Sequence, residues 1–289
     1  MEQMPRRIIP SSQVDMPLCN SKICPVCGEA VERVMTQANR DFFDRVEWFL
    51  GVKVGETFPA LCRCEKEKQE KKHELERLQK IARERSEHLR QKGLSDPIYR
   101  DMTFSVDRGY NPATSTIARN YVENFDFMLA NHIGLLLTGD VGTGKTFIAS
   151  CIVNGLIDKG VSAMMIRLSR IINADLEGAA HILRIIEQSD LVVFDDVGAE
   201  RDTSFAHERA FMAIDTRILA RKPIIVTTNL TFEELAGVTD RMLKRIYDRI
   251  IGECVHVPII GHSIRKVEQV QKTESARGKL LGESAKQTI

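Results

Sequence analysis

Long apolar stretches are missing from this chain. No run approaches the roughly 18 residues that a bilayer-spanning helix needs, and the opening MEQMPRRIIPSSQVDMPLC has no apolar core of signal-peptide length. No membrane partner is therefore expected, and the protein should be soluble and cytoplasmic. An excess of charge is missing too: 41 Lys and Arg stand against 40 Asp and Glu, a formal charge of +1. That balance excludes an overall electrostatic pull toward nucleic acid, so any such contact must come from a local patch. No internal repeat is found either.

What is present suffices for a large domain and a small one. The 289 residues are 43% hydrophobic, which rules out global disorder. The seven cysteines are an odd count, unevenly spread. Cys19, Cys24, Cys27, Cys62 and Cys64 cluster early and suggest a metal in a reducing compartment, whereas the isolated Cys151 and Cys254 read as small buried hydrophobes. CPVCG spaces Cys24 and Cys27 by two residues, and LCRC adds Cys62 and Cys64. Four thiolates suit tetrahedral Zn2+; Cys19 and His73 are substitute ligands, and unligated thiols are the alternative. Such a site keeps no open position, so the zinc would be structural.

Four segments are expected. Residues 1–64 form the zinc-binding module, and 65–96 a charged helix and linker ending at Gly93 and Pro97. Leu75, Leu78, Ala82 and Leu89 make one thin apolar seam along that helix, whose charged faces are mostly solvated. Residues 97–266 form the main domain, and 267–289 a polar, flexible tail. In the main domain the apolar runs GLLLTG, VSAMMI, DLVVFDD, PIIVTTN and CVHVPII alternate with amphipathic segments of helix length. That alternation predicts an α/β fold, a parallel sheet sandwiched by helices.

GDVGTGKT, Gly139 to Thr146, fits G-x-x-x-x-G-K-[ST] between a strand and a helix. The glycines of such a loop let backbone N–H groups face phosphate oxygens at a helix N-terminus. Gly139, Asp140, Val141, Gly142, Thr143, Gly144, Lys145, Thr146 and Phe147 are the candidate nucleotide-binding residues. Lys145 would reach the β- and γ-phosphates, and Thr146 would offer its hydroxyl to Mg2+. LVVFDDVGAE then delivers two adjacent carboxylates at a strand tip. Asp195 is placed to hold Mg2+ through water, and Asp196 to orient or deprotonate the attacking water; capping of the next turn is the alternative for Asp196. Glu200 is a weaker candidate.

PIIVTTN ends in Asn229, whose amide would report on the γ-phosphate or the attacking water, although turn formation explains an asparagine there as well. Thr231 and Glu234 have capping-box spacing. Arg241, Arg245 and Arg249 share one face of a later helix, and an arginine so placed can serve a neighbouring subunit's phosphate.

Together GDVGTGKT, LVVFDDVGAE, KPIIVTTNL, RIYDRIIGEC and GHSIR resemble the AAA+ ATPases. Within them they resemble the DnaC/DnaI-like replicative helicase loaders and the related IstB-like transposition ATPases. The resemblance implies that Asp196 stands at the catalytic acid, Asn229 at sensor 1 and Arg249 at the trans-acting arginine finger. Arg245 is then the alternate finger, and Arg265 matches an arginine near the subunit boundary. It also implies an ATP hydrolase without a C-terminal helical lid, since only about 30 polar residues follow the last strand. Turnover would be slow until a second copy closes the site. The implied partners are a hexameric replicative DNA helicase, gripped by the zinc module, and single-stranded DNA, with Arg167 and Arg170 as candidates by position. A transposition helper ATPase, or an ATP-gated adaptor with little turnover, are the alternatives.

Overall fold

The computed structural model describes residues 23–34, 40, 44–45, 49, 57–94, 96–199 and 203–280. The chain divides into two compact units, residues 1–80 and 81–289. The division falls inside the charged helix, not at either end of it.

In the first unit β1 (Glu32–Val34) pairs antiparallel with β2 (Thr57–Pro59). Helix α1 (Arg63–Gly93) follows. Its i,i+3 and i,i+4 neighbours pair charges, Arg77 with Glu74 at 3.6 Å and Lys72 with Glu76 at 3.9 Å. Exposed pairs of this kind add only tenths of a kcal/mol each. Leu75 and Leu78 of the apolar seam are exposed, whereas Leu89, already in the second unit, packs on that unit's own core.

From Ile81 onward α1 belongs to the second unit and packs within it. Ser86 donates to the Ile157 carbonyl at 3.1 Å, and Arg90 pairs with Asp158. A Cβ on Gly93 would lie 2.0 Å from the Ala163 carbonyl oxygen, so only glycine permits this approach.

Then come α2 (Pro97–Asp101), α3 (Pro112–Glu123), α4 (Phe125–Ala130), β3 (Gly134–Thr138), α5 (Lys145–Asp158), β4 (Ala163–Arg167), α6 (Leu168–Ile172) and α7 (Leu176–Gln188). They are followed by β5 (Leu191–Val197), α8 (Ser204–Leu219), β6 (Ile224–Thr228), α9 (Phe232–Gly237), α10 (Arg241–Glu253), β7 (Cys254–Pro258) and α11 (Ile264–Leu280). Local chemistry explains several boundaries. Proline opens α2 and α3 behind the capping side chains of Asp96 and Asn111. Thr231 and Glu234 form the expected capping box at α9.

The five apolar runs are the five strands, all parallel, in the order β4-β5-β6-β3-β7. This is the AAA+-like sheet that the resemblance implied. Because both faces are covered, the strands read as continuous apolar runs and not as alternation. Leu135, Leu137, Met165, Val193 and Ile225 turn to a core shared with α3 and α5. Leu136, Met164, Ile166, Phe194 and Val226 turn to the opposite core with α6, α7, α8 and α10.

The segment from 267 onward differs from the expected flexible tail. It is helical as far as Leu280, within the mostly exposed α11. Polar composition alone does not separate a solvated helix from a coil.

Candidate functional site

Strand order builds the site. Placing β6 between β5 and β3 brings three carboxyl-terminal tips side by side, with Thr138 opposite Thr228 and Val197 opposite Thr228. The loop from Gly139 to Thr146 leaves the β3 tip and enters α5. Gly142 and Gly144 have φ of 87° and 98°, the left-handed region that glycine enters without strain. Space excludes larger residues too: a Cβ on Gly142 would stand 2.3 Å from Ser263 Oγ. The Ile264 N–H donates to the Gly142 carbonyl at 2.9 Å, so the GHSIR stretch lies on the loop.

Lys145 is buried, its ammonium donating to the Gly139 and Asp140 carbonyls at 2.7 and 2.8 Å. Burial pulls its pKa below the ordinary lysine range, opposed by Asp196, Asp140 and Asp195 and reinforced by Arg265.

The paired aspartates both reach the site because β5 bulges. Phe194 pairs with Val226 and Val197 with Thr228, so residues 195 and 196 together face the single residue 227. In a regular strand adjacent side chains point to opposite faces; here Asp196 adopts φ of 60°, and the bulge re-aims its carboxylate. The Asp196 N–H donates to Thr227 Oγ1 at 2.8 Å, and that hydroxyl donates to Asp195 Oδ1 at 2.8 Å. Asn229 Nδ2 donates to Asp196 Oδ1 at 2.9 Å. Asp195, 2% exposed, also accepts from Thr146 Oγ1 at 2.9 Å and Tyr99 OH at 2.9 Å. Burial and the Asp195 charge push the Tyr99 phenol upward, which keeps it a donor.

A cavity of about 400 Å3 opens over these groups. It is lined by Val141 to Phe147, Asp195, Asp196, Thr227 and Asn229, and by Tyr99, Arg108, Tyr110, Arg167, Arg265 and Glu268. Its volume is in the range of small-molecule sites. The hydroxyl of Thr146 and the carboxylate of Asp195 are hard oxygen donors in contact, a pair that fits Mg2+.

Several residues lie elsewhere than position in the sequence implied. Arg167, a DNA candidate, places Nε 3.6 Å from Asp195 Oδ2 and lines the cavity. Arg265, expected near a subunit boundary, lines it as well. Arg249 and Arg245 do not: both lie over the Phe211 ring at 4.7 Å, and Arg249 pairs with Asp215. Arg170 is exposed on α6. Glu200 and Cys19 lie outside the described residues. Tyr99 and Thr227 went unrecognised in the sequence. TTN flagged the strand that carries Thr227; nothing flagged Tyr99.

In the first unit the Sγ atoms of Cys24, Cys27, Cys62 and Cys64 lie within 4.8 Å of one another. Tetrahedral zinc with sulfur at 2.3 Å would set its thiolates about 3.8 Å apart, so the four fit. The backbone N–H groups of Cys27 and Val26 are the main cause that lowers the Cys24 thiol to about 6, whereas hydrogen bonds with Cys62 and Cys24 push the Cys64 thiol upward. His73, the substitute ligand, instead faces Glu76 at 3.6 Å on α1.

Known proteins resemble this chain over part of its length. A sequence profile of the IstB-like ATP binding proteins matches residues 73–272. The replicative helicase loader DnaC of Escherichia coli K12 is 29% identical over 140 residues, 46% of this chain and 55% of the loader. A Mycobacterium tuberculosis protein named as an ATP-binding protein in an insertion sequence is 24% identical over 149 residues, 49% of this chain and 59% of its own. The chain thus spans little more than half the length of these curated relatives. Among solved structures, a DnaC helicase loader superposes with a TM-score of 0.48 at 20% identity, covering 57% of this chain and all of the other. With a matching profile across more than half its length and the phosphate loop within the match, this chain belongs to the family of IstB-like ATP binding proteins.

Proposed function

We propose that the protein is a cytoplasmic ATP hydrolase that loads a hexameric replicative DNA helicase onto single-stranded DNA. The observation that carries the reading is the bulge that turns both carboxylates toward the phosphate loop, with Asn229 on the second of them. Backbone N–H groups of the loop would bind the phosphates, and Lys145 would offset their charge. Thr146 and Asp195 would hold Mg2+, which when bound neutralises charge developing on the phosphate oxygens. Asp196 would orient or deprotonate water, and Asn229 would set the direction of that carboxylate. Arg249 lies outside its own cavity, so any phosphate it serves belongs to a second copy, reached after release from Asp215. Self-association through this domain would then complete the site.

The cysteine cluster would hold a structural zinc in a module, residues 1–64, that grips the helicase. The purified chain is expected to carry about one zinc, lost on Cys64→Ser; elemental analysis finding no zinc in the unaltered protein refutes this.

A second reading, a helper ATPase for a transposase, is favoured by the family match and the insertion-sequence relative. Capture on the full chain with Mg2+ and ATP decides: a replicative helicase supports loading, and a transposase supports the second reading.

A further inference from the structure

Both oxygens of Asp195 are engaged. Oδ1 accepts from Thr146 Oγ1 at 2.9 Å and Thr227 Oγ1 at 2.8 Å. Oδ2 accepts from Tyr99 OH at 2.9 Å, with Arg167 Nε at 3.6 Å. An ionised carboxylate has room for about four such partners; three are hydrogen bonds, and Arg167 stands beside them as an ion pair. The Oδ2 pair comes from outside every recognised motif, Tyr99 from α2 and Arg167 from the β4 tip.

Tyr99 is not free to swing. It is 1% exposed, and Asn154, buried on α5, donates to its carbonyl at 2.8 Å and to that of Met102 at 3.0 Å. The Arg167 guanidinium sits 5.7 Å from its ring centroid. The β4–β5 register sets Arg167 opposite Asp195, so both partners of Oδ2 are placed by the backbone. A carboxylate torsion is otherwise broad. A fixed donor on one oxygen determines where the other points.

We infer that Tyr99 is a positioning residue of the nucleotide site: its hydroxyl, backed by Arg167, holds Oδ2 of Asp195 so that Oδ1 faces Thr146. This rests on the proposed Mg2+–ATP site and adds a residue that governs its metal requirement. Removing the hydroxyl leaves Oδ2 with Arg167 alone and holds the carboxylate less firmly toward Thr146, which weakens the pair as a metal holder and leaves the phosphate loop untouched.

Tyr99→Phe retains the ring and its packing. Binding of a fluorescent ADP analogue by the full chain is titrated across Mg2+ concentrations and in EDTA. The variant should need about tenfold more Mg2+ for half-saturation, the scale of one hydrogen bond to a charged group. Metal-free nucleotide affinity should change much less than the Mg2+ requirement, and the melting temperature should fall by only a few degrees. An equal or lower Mg2+ requirement overturns the inference while the site itself stands. If the unaltered protein binds no nucleotide with Mg2+, the site fails and the inference with it. Should Tyr99→Phe not fold, the exposed Arg167→Gln takes its place; it should raise the requirement about threefold, and no change overturns the inference.

Discussion

Asp196→Asn is expected to cut DNA-stimulated phosphate release by about a hundredfold or more, the scale of one positioned general base, with nucleotide binding nearly unchanged. The substitution keeps shape and removes charge. Its side-chain oxygen still accepts from Asn229, and its N–H still reaches Thr227, so the bulge persists. Lys145 keeps its bonds to the Gly139 and Asp140 carbonyls and Thr146 its bond to Asp195, because none of these passes through Asp196. What disappears is the carboxylate that orients or deprotonates water. Rapid-mixing phosphate release, beside equilibrium binding of a fluorescent ATP analogue, separates the two quantities. Unaltered turnover would remove Asp196 from the catalytic role and favour an ATP-gated adaptor.

Arg217→Met should produce the largest loss of stability. Arg217 on α8 is fully buried, and its hydrogen bonds go to backbone carbonyls. Its guanidinium donates to the carbonyls of Ile186, Ser189, Asp190 and Pro223 at 2.5 to 3.1 Å. Ile186 and Ser189 close the C-terminal end of α7, where helix carbonyls lack intrahelical donors and the dipole favours a cation. Asp190 and Pro223 lead into β5 and β6, the strands that carry the carboxylates and Asn229. Burial lowers the guanidinium pKa to about 10, so it stays charged at neutral pH.

Methionine fills similar volume but leaves those carbonyls without their donor. Lys222, which donates to the Gln188 and Ser189 carbonyls at 2.8 and 3.2 Å, covers only part of the deficit. The cost should be about 3–5 kcal/mol, a fall in Tm of roughly 10 °C for a domain of this size. Denaturant titration measures it, and a loss under about 1 kcal/mol would show that water satisfies the carbonyls.

The two variants fall on opposite sides of what could be read directly. Asp196 was visible because DD behind LVVF is a local pattern. Arg217 was not, because an arginine in an amphipathic helix looks solvated until its neighbours are known. Likewise Arg249 was recognised by helical spacing, yet its engagement with Asp215 and Phe211 depends on how α10 meets α8. The helix through Leu280 was read as a tail because its residues bury little, and burial is the main signal that composition carries.

The amino-acid order by itself determined the five strands, the phosphate loop, the capping box and the four thiols, since each follows from short-range sterics, periodicity or ligand spacing. Only the tertiary structure decided which tips lie together, how Asp196 turns, and that Tyr99 meets Asp195 across 96 positions of chain. Strand order and register set those meetings, and they are decided by packing between distant segments, which leaves no mark at the residues that finally touch.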